Sequence, residues 1–97
     1  VVRLNMGTII ETDGSVQHVR PVNGRQFVKE ELSNICGGDT ITVGLHDGRV
    51  MVVIRYESMR FHINWQATEI ASDEGILDGD EFIFGDVLIC DEKEVEL

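Results

Sequence analysis

The segment 40–55 constrains the fold of this chain more than any other. It reads TITVGLHDGRVMVVIR, in which two runs of β-favouring residues flank Asp47-Gly48. Asp-Gly between such runs predicts a hairpin, because a tight type I′ turn needs positive φ at both central residues. The run 50–54 carries no charge, and a strand that is apolar on both faces normally lies inside a sheet. We therefore predict a central antiparallel hairpin and expect most of the chain to pack around it.

The flanking segments add strands to this hairpin. Asp13-Gly14 predicts a second tight turn, and the strand after it alternates imperfectly, which predicts a bulge or a twist. A turn at 78–80 precedes a last apolar strand, in which Gly85 marks a bulge or a close approach. Segment 1–5 is interpreted as an edge strand or a frayed end, and 56–63 as a strand extension, a loop or an extra strand. The added strands are predicted at 7–12, 15–20 and 81–90.

Two short helices are expected on the sheet. Between 28 and 36, apolar residues recur at i, i+4, i+7 and i+8 and form one stripe that can face a sheet. Gly37 ends this helix, because a left-handed residue after a helix is least costly as glycine. Asn64 is a favourable N-cap for a second helix over 65–72.

These elements predict one α+β domain over residues 1–97. Its small antiparallel sheet has about five to six strands built around the central hairpin, with one or two short helices packed on it. Residues 91–97, DEKEVEL, are predicted to form a frayed acidic tail.

The net charge of −10 lies in the last third of the chain. Residues 1–68 hold seven acids and seven bases, whereas residues 69–97 hold eleven acids and one base, Lys93. Direct binding to nucleic acid calls for a basic surface, so we expect none. The acidic segment instead favours solubility and basic partners. No apolar run approaches the roughly 20 residues of a membrane helix, so we expect no membrane contact.

The residue types that carry metal or catalytic chemistry form no recognised constellation. Cys36 and Cys90 lie within apolar stretches and fit no zinc or redox spacing, so we expect buried, reduced thiols in a cytoplasmic protein. A disulfide between them is the alternative. His18, His46 and His62 do not stand at metal-ligand spacing, and phosphate-loop and nucleophile motifs are lacking. We expect no metal, no cofactor and no catalysis.

Several short motifs follow one another in the order found in a known family. They are Asp13-Gly14-Ser15-Val16, Asn23-Gly24, Glu30-Glu31-Leu32, Gly37-Gly38, Asp47-Gly48-Arg49-Val50-Met51-Val52-Val53, Asn64 with Ala67-Thr68, and Gly85-Asp86-Val87-Leu88. In this order the chain resembles the uncharacterised family called domain of unknown function 3846, found in bacteria, phages and mobile elements. The resemblance runs over residues 7–90 and departs at Val28, where similar sequences carry Ser or Thr. It implies an accessory protein of a phage or plasmid, without an established activity.

Basic and aromatic side chains cluster after the predicted hairpin turn. Guanidinium groups hold phosphates or carboxylates through paired hydrogen bonds, and a ring can stack on a base or a peptide side chain. The alternative is a purely structural role, in which these arginines neutralise the acidic third of the chain and Trp65 anchors its helix to the sheet. The predicted ligand site comprises Arg49, Arg55, Tyr56, Arg60, His62 and Trp65, with Phe61 beside it and Arg20 and Arg25 as further candidates.

Three functions compete on these grounds. The first is a non-enzymatic binding protein of a phage or mobile element that counteracts a host function by sequestering an anionic ligand, such as a nucleotide signal. The second is an acidic protein-interaction module or DNA mimic that occupies a basic site on a host protein. Its predicted contact residues are Asp78, Asp80, Glu81 and Asp86. The third, an enzyme, lacks a constellation of residues. Because a small sheet with an exposed apolar segment at 59–61 leaves an edge to cover, we also predict a homodimer.

Overall fold

The computed structural model describes residues 6–55 and 61–95, which form a sheet and two helices. The hairpin segment 40–55 supplies two of the strands, as predicted, and the segment after Asn64 supplies the second helix. In chain order the elements are β1 (Gly7–Ile10), β2 (Val16–Val19), α1 (Lys29–Cys36), β3 (Thr40–Gly44), β4 (Arg49–Ile54), α2 (Trp65–Asp73), β5 (Val87–Asp91) and a 3-10 turn (Glu92–Glu94).

The strands of the described residues form one five-stranded sheet in the order β2-β1-β5-β4-β3, and every neighbouring pair is antiparallel. The predicted α+β class is therefore confirmed. β4 lies inside the sheet between β3 and β5, as the uncharged run 50–54 predicts. β5 occupies the middle of the sheet, and β2 and β3 form its two edges.

The apolar runs of β4 and β5 supply two separate cores, one on each face of the sheet. Alternate residues of a strand point to opposite faces. Met51 and Ile89 join the core that contains Ala67 and Ala71 of α2. Their neighbours in the two strands join a second core with Leu32 and Cys36 of α1. The sheet is thus covered by one helix on each face, which explains why these strands carry no polar alternation.

The two Asp-Gly turns share one geometry, which differs from the predicted type I′. In the hairpin 40–55, the Leu45 N–H donates to the Arg49 carbonyl over 2.8 Å, so three residues form the loop. Gly48 has a φ of 82°, whereas no non-glycine residue of the described chain has positive φ. This is the arrangement of a three-residue hairpin loop closed by a left-handed glycine. The Asp47 carboxylate accepts from the Arg49 N–H at 3.2 Å, which supports the loop.

The structure departs from the predictions made from the sequence in three places. The predicted strand 81–90 pairs in the sheet only from Val87 onward, and Phe84 forms an isolated bridge with Ile63. Residues 91–97 are predicted as a frayed tail, but the described part, 91–95, turns through the 3-10 helix and buries Val95, which is 3% exposed, against Phe27. Residues 7–10 pair with 16–19 in continuous register, so β2 contains no bulge. Segment 1–5 and most of 56–63 lie outside the described residues.

Asn64 is the buried polar residue that joins these layers, and its relative exposure is 0%. Its side-chain oxygen accepts from the Ala67 N–H at 3.0 Å and caps α2, as predicted. Its amide nitrogen donates to the carbonyls of Ile10 and Gly85, both at 2.9 Å. One side chain therefore satisfies three backbone groups from β1, α2 and the segment before β5.

None of the described helices is long and apolar enough to cross a membrane.

We expect Asn64→Ala to lower the free energy of unfolding by about 3 kcal/mol. The change removes a helix cap, which contributes about 1 kcal/mol, and leaves two buried carbonyls without their donor, at about 1–3 kcal/mol each before relaxation. Urea denaturation followed by circular dichroism measures the loss. Asn34→Ala, on the exposed face of α1, is the matched control and should change stability by less than about 0.5 kcal/mol. Equal effects of the two changes would contradict this role.

Cys36 and Cys90 are buried free thiols, as predicted, and both should react slowly in the folded protein. Burial, reinforced by the Asp86 carboxylate, raises the pKa of Cys36 to about 12. Burial, reinforced by Glu94 and Asp91, raises the pKa of Cys90 to about 12. Since the thiolate is the reactive form, titration with a thiol reagent at neutral pH should give two fast equivalents only in denaturant. Fast labelling of both thiols without denaturant would contradict this prediction.

Candidate functional site

The structure separates the arginines that lie close together in the sequence. Arg49 begins β4 and Arg55 follows its end, so six residues of extended chain hold them about 20 Å apart. The Arg49 guanidinium donates to the Asp47 carboxylate at 2.7 Å, within the hairpin turn. Tyr56 and Arg60 lie outside the described residues. A single chain therefore does not bring Arg49 and Arg55 together in one site, as the six-residue prediction required.

His62 and Trp65 do lie together, in an open pocket of about 600 Å³. Thr12 and Asp13 of the β1–β2 turn also line this pocket, together with Phe61 and Ile63. Trp65 is 64% exposed at the first position of α2. Its ring meets Phe82 edge-on, with centroids 5.6 Å apart. The ring of Trp65 is therefore held on one side by Phe82 and remains largely open to solvent.

Phe61 has a packing role beside this pocket. A Cβ built at Gly37 would lie 3.1 Å from the Phe61 ring, and one built at Gly85 would lie 3.2 Å from it. Both glycines have positive φ, 92° and 76°. The ring of Phe61 thus rests on two left-handed glycines, one at the end of α1 and one just before β5.

Arg55 lies in a different pocket, of about 380 Å³, that is more polar than the first. Lys29 and Ser33 come from the exposed face of α1, one helical turn apart, and Thr40 begins β3. Asp39 completes the lining. Arg55 donates to the Thr40 carbonyl at 3.5 Å. Two cations and two hydroxyls therefore surround this pocket, together with one carboxylate.

Neither cation of this pocket has an acidic partner within 4.0 Å among residues 6–55 and 61–95. Arg55 was predicted from the sequence as a ligand residue, whereas Lys29, Ser33 and Thr40 were not. Their signal was the spacing of Lys29 and Ser33, four residues apart on the polar side of the predicted helix. Only the fold shows that this side of α1 adjoins the end of β4.

The acidic residues of the alternative site divide into two groups. Asp78, Asp80 and Glu81 are exposed in the loop after α2, where the Glu81 carboxylate accepts from the Asp78 N–H at 2.8 Å. Asp86 is half-buried instead and accepts from the Thr12 N–H at 3.0 Å. Asp86 therefore holds the β1–β2 turn in place and does not belong to an exposed acidic surface. Within the described chain, no group of three or more His, Cys, Asp or Glu residues could hold a metal ion.

Comparison with known proteins adds no relative to this picture: no family model matches the chain, and neither a curated protein nor a solved structure matches it significantly.

We expect Gly85→Ala to destabilise the protein more than Gly14→Ala, a matched change at a similar φ of 91°. A Cβ at Gly14 meets nothing within 4 Å, so that variant should lose about 1–2 kcal/mol from the left-handed backbone alone. A Cβ at Gly85 also crowds Phe61, which adds about 1–3 kcal/mol. Urea denaturation of both variants measures the difference. Equal losses would show that Phe61 does not pack against Gly85.

Proposed function

We propose that this chain is a small, non-enzymatic, cytoplasmic binding protein whose polar pocket at Lys29, Ser33, Thr40 and Arg55 holds an anionic group. The observation that supports it is the convergence of two cations from different elements, neither paired with an acid in the described residues. Ammonium and guanidinium groups with neighbouring hydroxyls are the donors that a phosphate or carboxylate takes in proteins.

The electrostatic setting makes this pocket selective. Its two cations and one acid, Asp39, leave it locally positive on a chain of net charge −10. The surrounding field repels polyanions such as nucleic acid, whereas a compact ligand with few charges can enter. A nucleotide signal fits this description, and the aromatic pocket at His62 and Trp65 offers a second surface for a base.

The resemblance to the phage and mobile-element family supplies a biological setting for such binding. A small protein that sequesters an anionic signal lowers its free concentration without catalysis, which suits a phage or plasmid accessory protein that counteracts a host response. This setting rests on analogy, whereas the pocket rests on the placement of its side chains.

The first experiment is a thermal-shift screen of the purified protein against inorganic phosphate, nucleotides, cyclic dinucleotides and ADP-ribose derivatives. A ligand that binds only the folded state raises its stability by RT ln(1 + [L]/Kd), so tight binding gives a clear shift. A charge-assisted hydrogen bond contributes about 1.5–3 kcal/mol, so Arg55→Ala and Lys29→Ala should each weaken binding of the best hit roughly ten- to a hundredfold. Calorimetric titration of each variant measures the change.

Arg49→Ala is the matched control for this experiment. Arg49 is the exposed arginine at the opposite end of β4, and its guanidinium already pairs with Asp47. Its removal should leave the affinity unchanged. The pocket is misassigned if Arg55→Ala folds, by circular dichroism, and binds as tightly as the parent, or if Arg49→Ala has the larger effect.

A second candidate function uses the acidic surface of α2 and the loop that follows. Asp73 lies in the last turn of α2, where the helix dipole disfavours negative charge, and that turn contains no base. Asp78, Asp80 and Glu81 extend the exposed carboxylates from there. Such a surface fits a protein-interaction module or a DNA mimic directed at a basic host protein. Salt-sensitive binding of polylysine, lost in Asp78→Asn/Asp80→Asn and unaccompanied by any nucleotide hit, would favour this function over the first.

A further inference from the structure

The outer edge of β3 is an unpaired strand edge in the described structure. The Leu45 N–H donates to Arg49, and the Arg55 N–H donates to Asp39, so residues 39 and 45 are hydrogen-bonded to β4. Hydrogen-bonded and non-hydrogen-bonded positions alternate along an antiparallel pair. The backbone groups of Thr40, Thr42 and Gly44 therefore point away from β4. Apart from the contact of Arg55 with the Thr40 carbonyl at 3.5 Å, the described residues offer these groups no hydrogen-bond partner.

The residues of β3 itself supply none of the usual devices that prevent pairing between sheets. Exposed edges are normally protected by charged side chains, proline or bulges. β3 reads TITVG, without charge or proline, and pairs with β4 in continuous register. Ile41 is 39% exposed on this strand. It borders a groove of about 280 Å³ whose lining is mainly apolar, with Val43, Phe82 and Phe84, and also contains Arg55 and Glu81.

Charge makes a second copy of this chain a suitable occupant of the edge. The hairpin and its flanks, residues 39–55, contain two acids and two bases, so this part of the protein is neutral. The excess negative charge lies in residues 69–97. β3 itself carries no charged side chain, and the adjoining groove holds one base, Arg55, and one acid, Glu81, so two copies that meet through β3 bring together a surface with little repulsion between the chains.

We propose that two copies of this chain pair antiparallel through β3 and form one continuous sheet across a two-fold axis at Thr42. In such a pairing, a residue whose backbone N–H and C=O point outward must lie opposite another residue of the same kind. A two-fold axis at Thr42 meets this condition and pairs all five positions of β3. Thr42 then meets the partner's Thr42, and Thr40 meets the partner's Gly44, which provides six backbone hydrogen bonds. Ile41 faces the partner's Val43 on the groove side, so the exposed apolar side chains are covered in the same step.

The β2 edge is the alternative, and it is less suited to this role. β2 has four residues and lines none of the apolar groove. By the same alternation, starting from the Glu11 N–H bond to Ser15, only Val16 and His18 within β2 point outward. A symmetric pairing of β2 would therefore provide four hydrogen bonds, compared with six for β3.

Light scattering with edge-blocking variants tests the pairing. Proline removes an N–H, and at Thr42 that N–H is not bonded to β4, so Thr42→Pro spares the sheet. The parent should have twice the mass of the 10.9 kDa chain at micromolar concentration, and Thr42→Pro should have the mass of one chain. His18→Pro, the matched change on the β2 edge, should stay dimeric. Thr42→Lys and His18→Lys repeat the comparison if a proline variant fails to fold by circular dichroism.

Cross-linking tests the register. Hydrogen-bonded antiparallel pairs have Cα atoms about 5.5 Å apart, which suits a disulfide. Thr42→Cys should therefore form a disulfide dimer on mild oxidation, since the native thiols are buried. Thr40→Cys should not, because the two Thr40 positions would lie about 14 Å apart along the strands. A monomeric parent, equal cross-linking of the two variants, or dissociation by His18→Pro but not Thr42→Pro would overturn the proposal.

Discussion

The buried amide of Asn64 is the interaction on which the layers of this protein depend. The chain segment that leads to α2 is not a strand. Its backbone N–H and C=O groups therefore need hydrogen-bond partners outside the sheet. The Asn64 side chain supplies such partners. Its amide nitrogen donates to the carbonyls of Ile10 in β1 and of Gly85, and its oxygen caps the first turn of α2. Its own N–H donates to the Ile83 carbonyl at 2.8 Å. A buried amide is favourable only when its hydrogen-bonding groups are satisfied, and here both side-chain atoms are.

The sequence predicts those parts of the fold that local chemistry decides. Asp-Gly turns, the Gly37 helix end and the Asn64 cap depend on residues a few positions apart, and each lies where the sequence places it. The type of turn was wrong, because Gly48 takes positive φ while Asp47 does not. Asp-Gly suits both a two-residue and a three-residue loop, and the strand register chooses between them.

The strand predicted over 81–90 shows that an apolar run in the sequence does not distinguish a strand from a loop. Within this run, Ile83 fills the core under α2, and its N–H donates to the Thr68 hydroxyl at 2.9 Å, whereas the exposed Phe82 meets the ring of Trp65. A buried loop and a buried strand require the same apolar composition, so the sequence cannot separate them. Val95 was missed for the opposite reason: one apolar residue among acids resembles a tail, yet it closes the core beside Phe27.

The candidate site depends on distances that sequence spacing misrepresents. Arg49 and Arg55 are near in sequence but stand at opposite ends of a strand, whereas Lys29 is remote in sequence and shares the Arg55 pocket. Arg55 also reaches the Thr40 carbonyl, so the pocket and the β3 edge meet at one side chain. A carbonyl oxygen has two lone pairs, so the Thr40 oxygen can accept from a second strand and from Arg55 together. A dimer built on β3 is therefore compatible with an anion in the pocket, and Arg55 is the residue through which the two could influence each other.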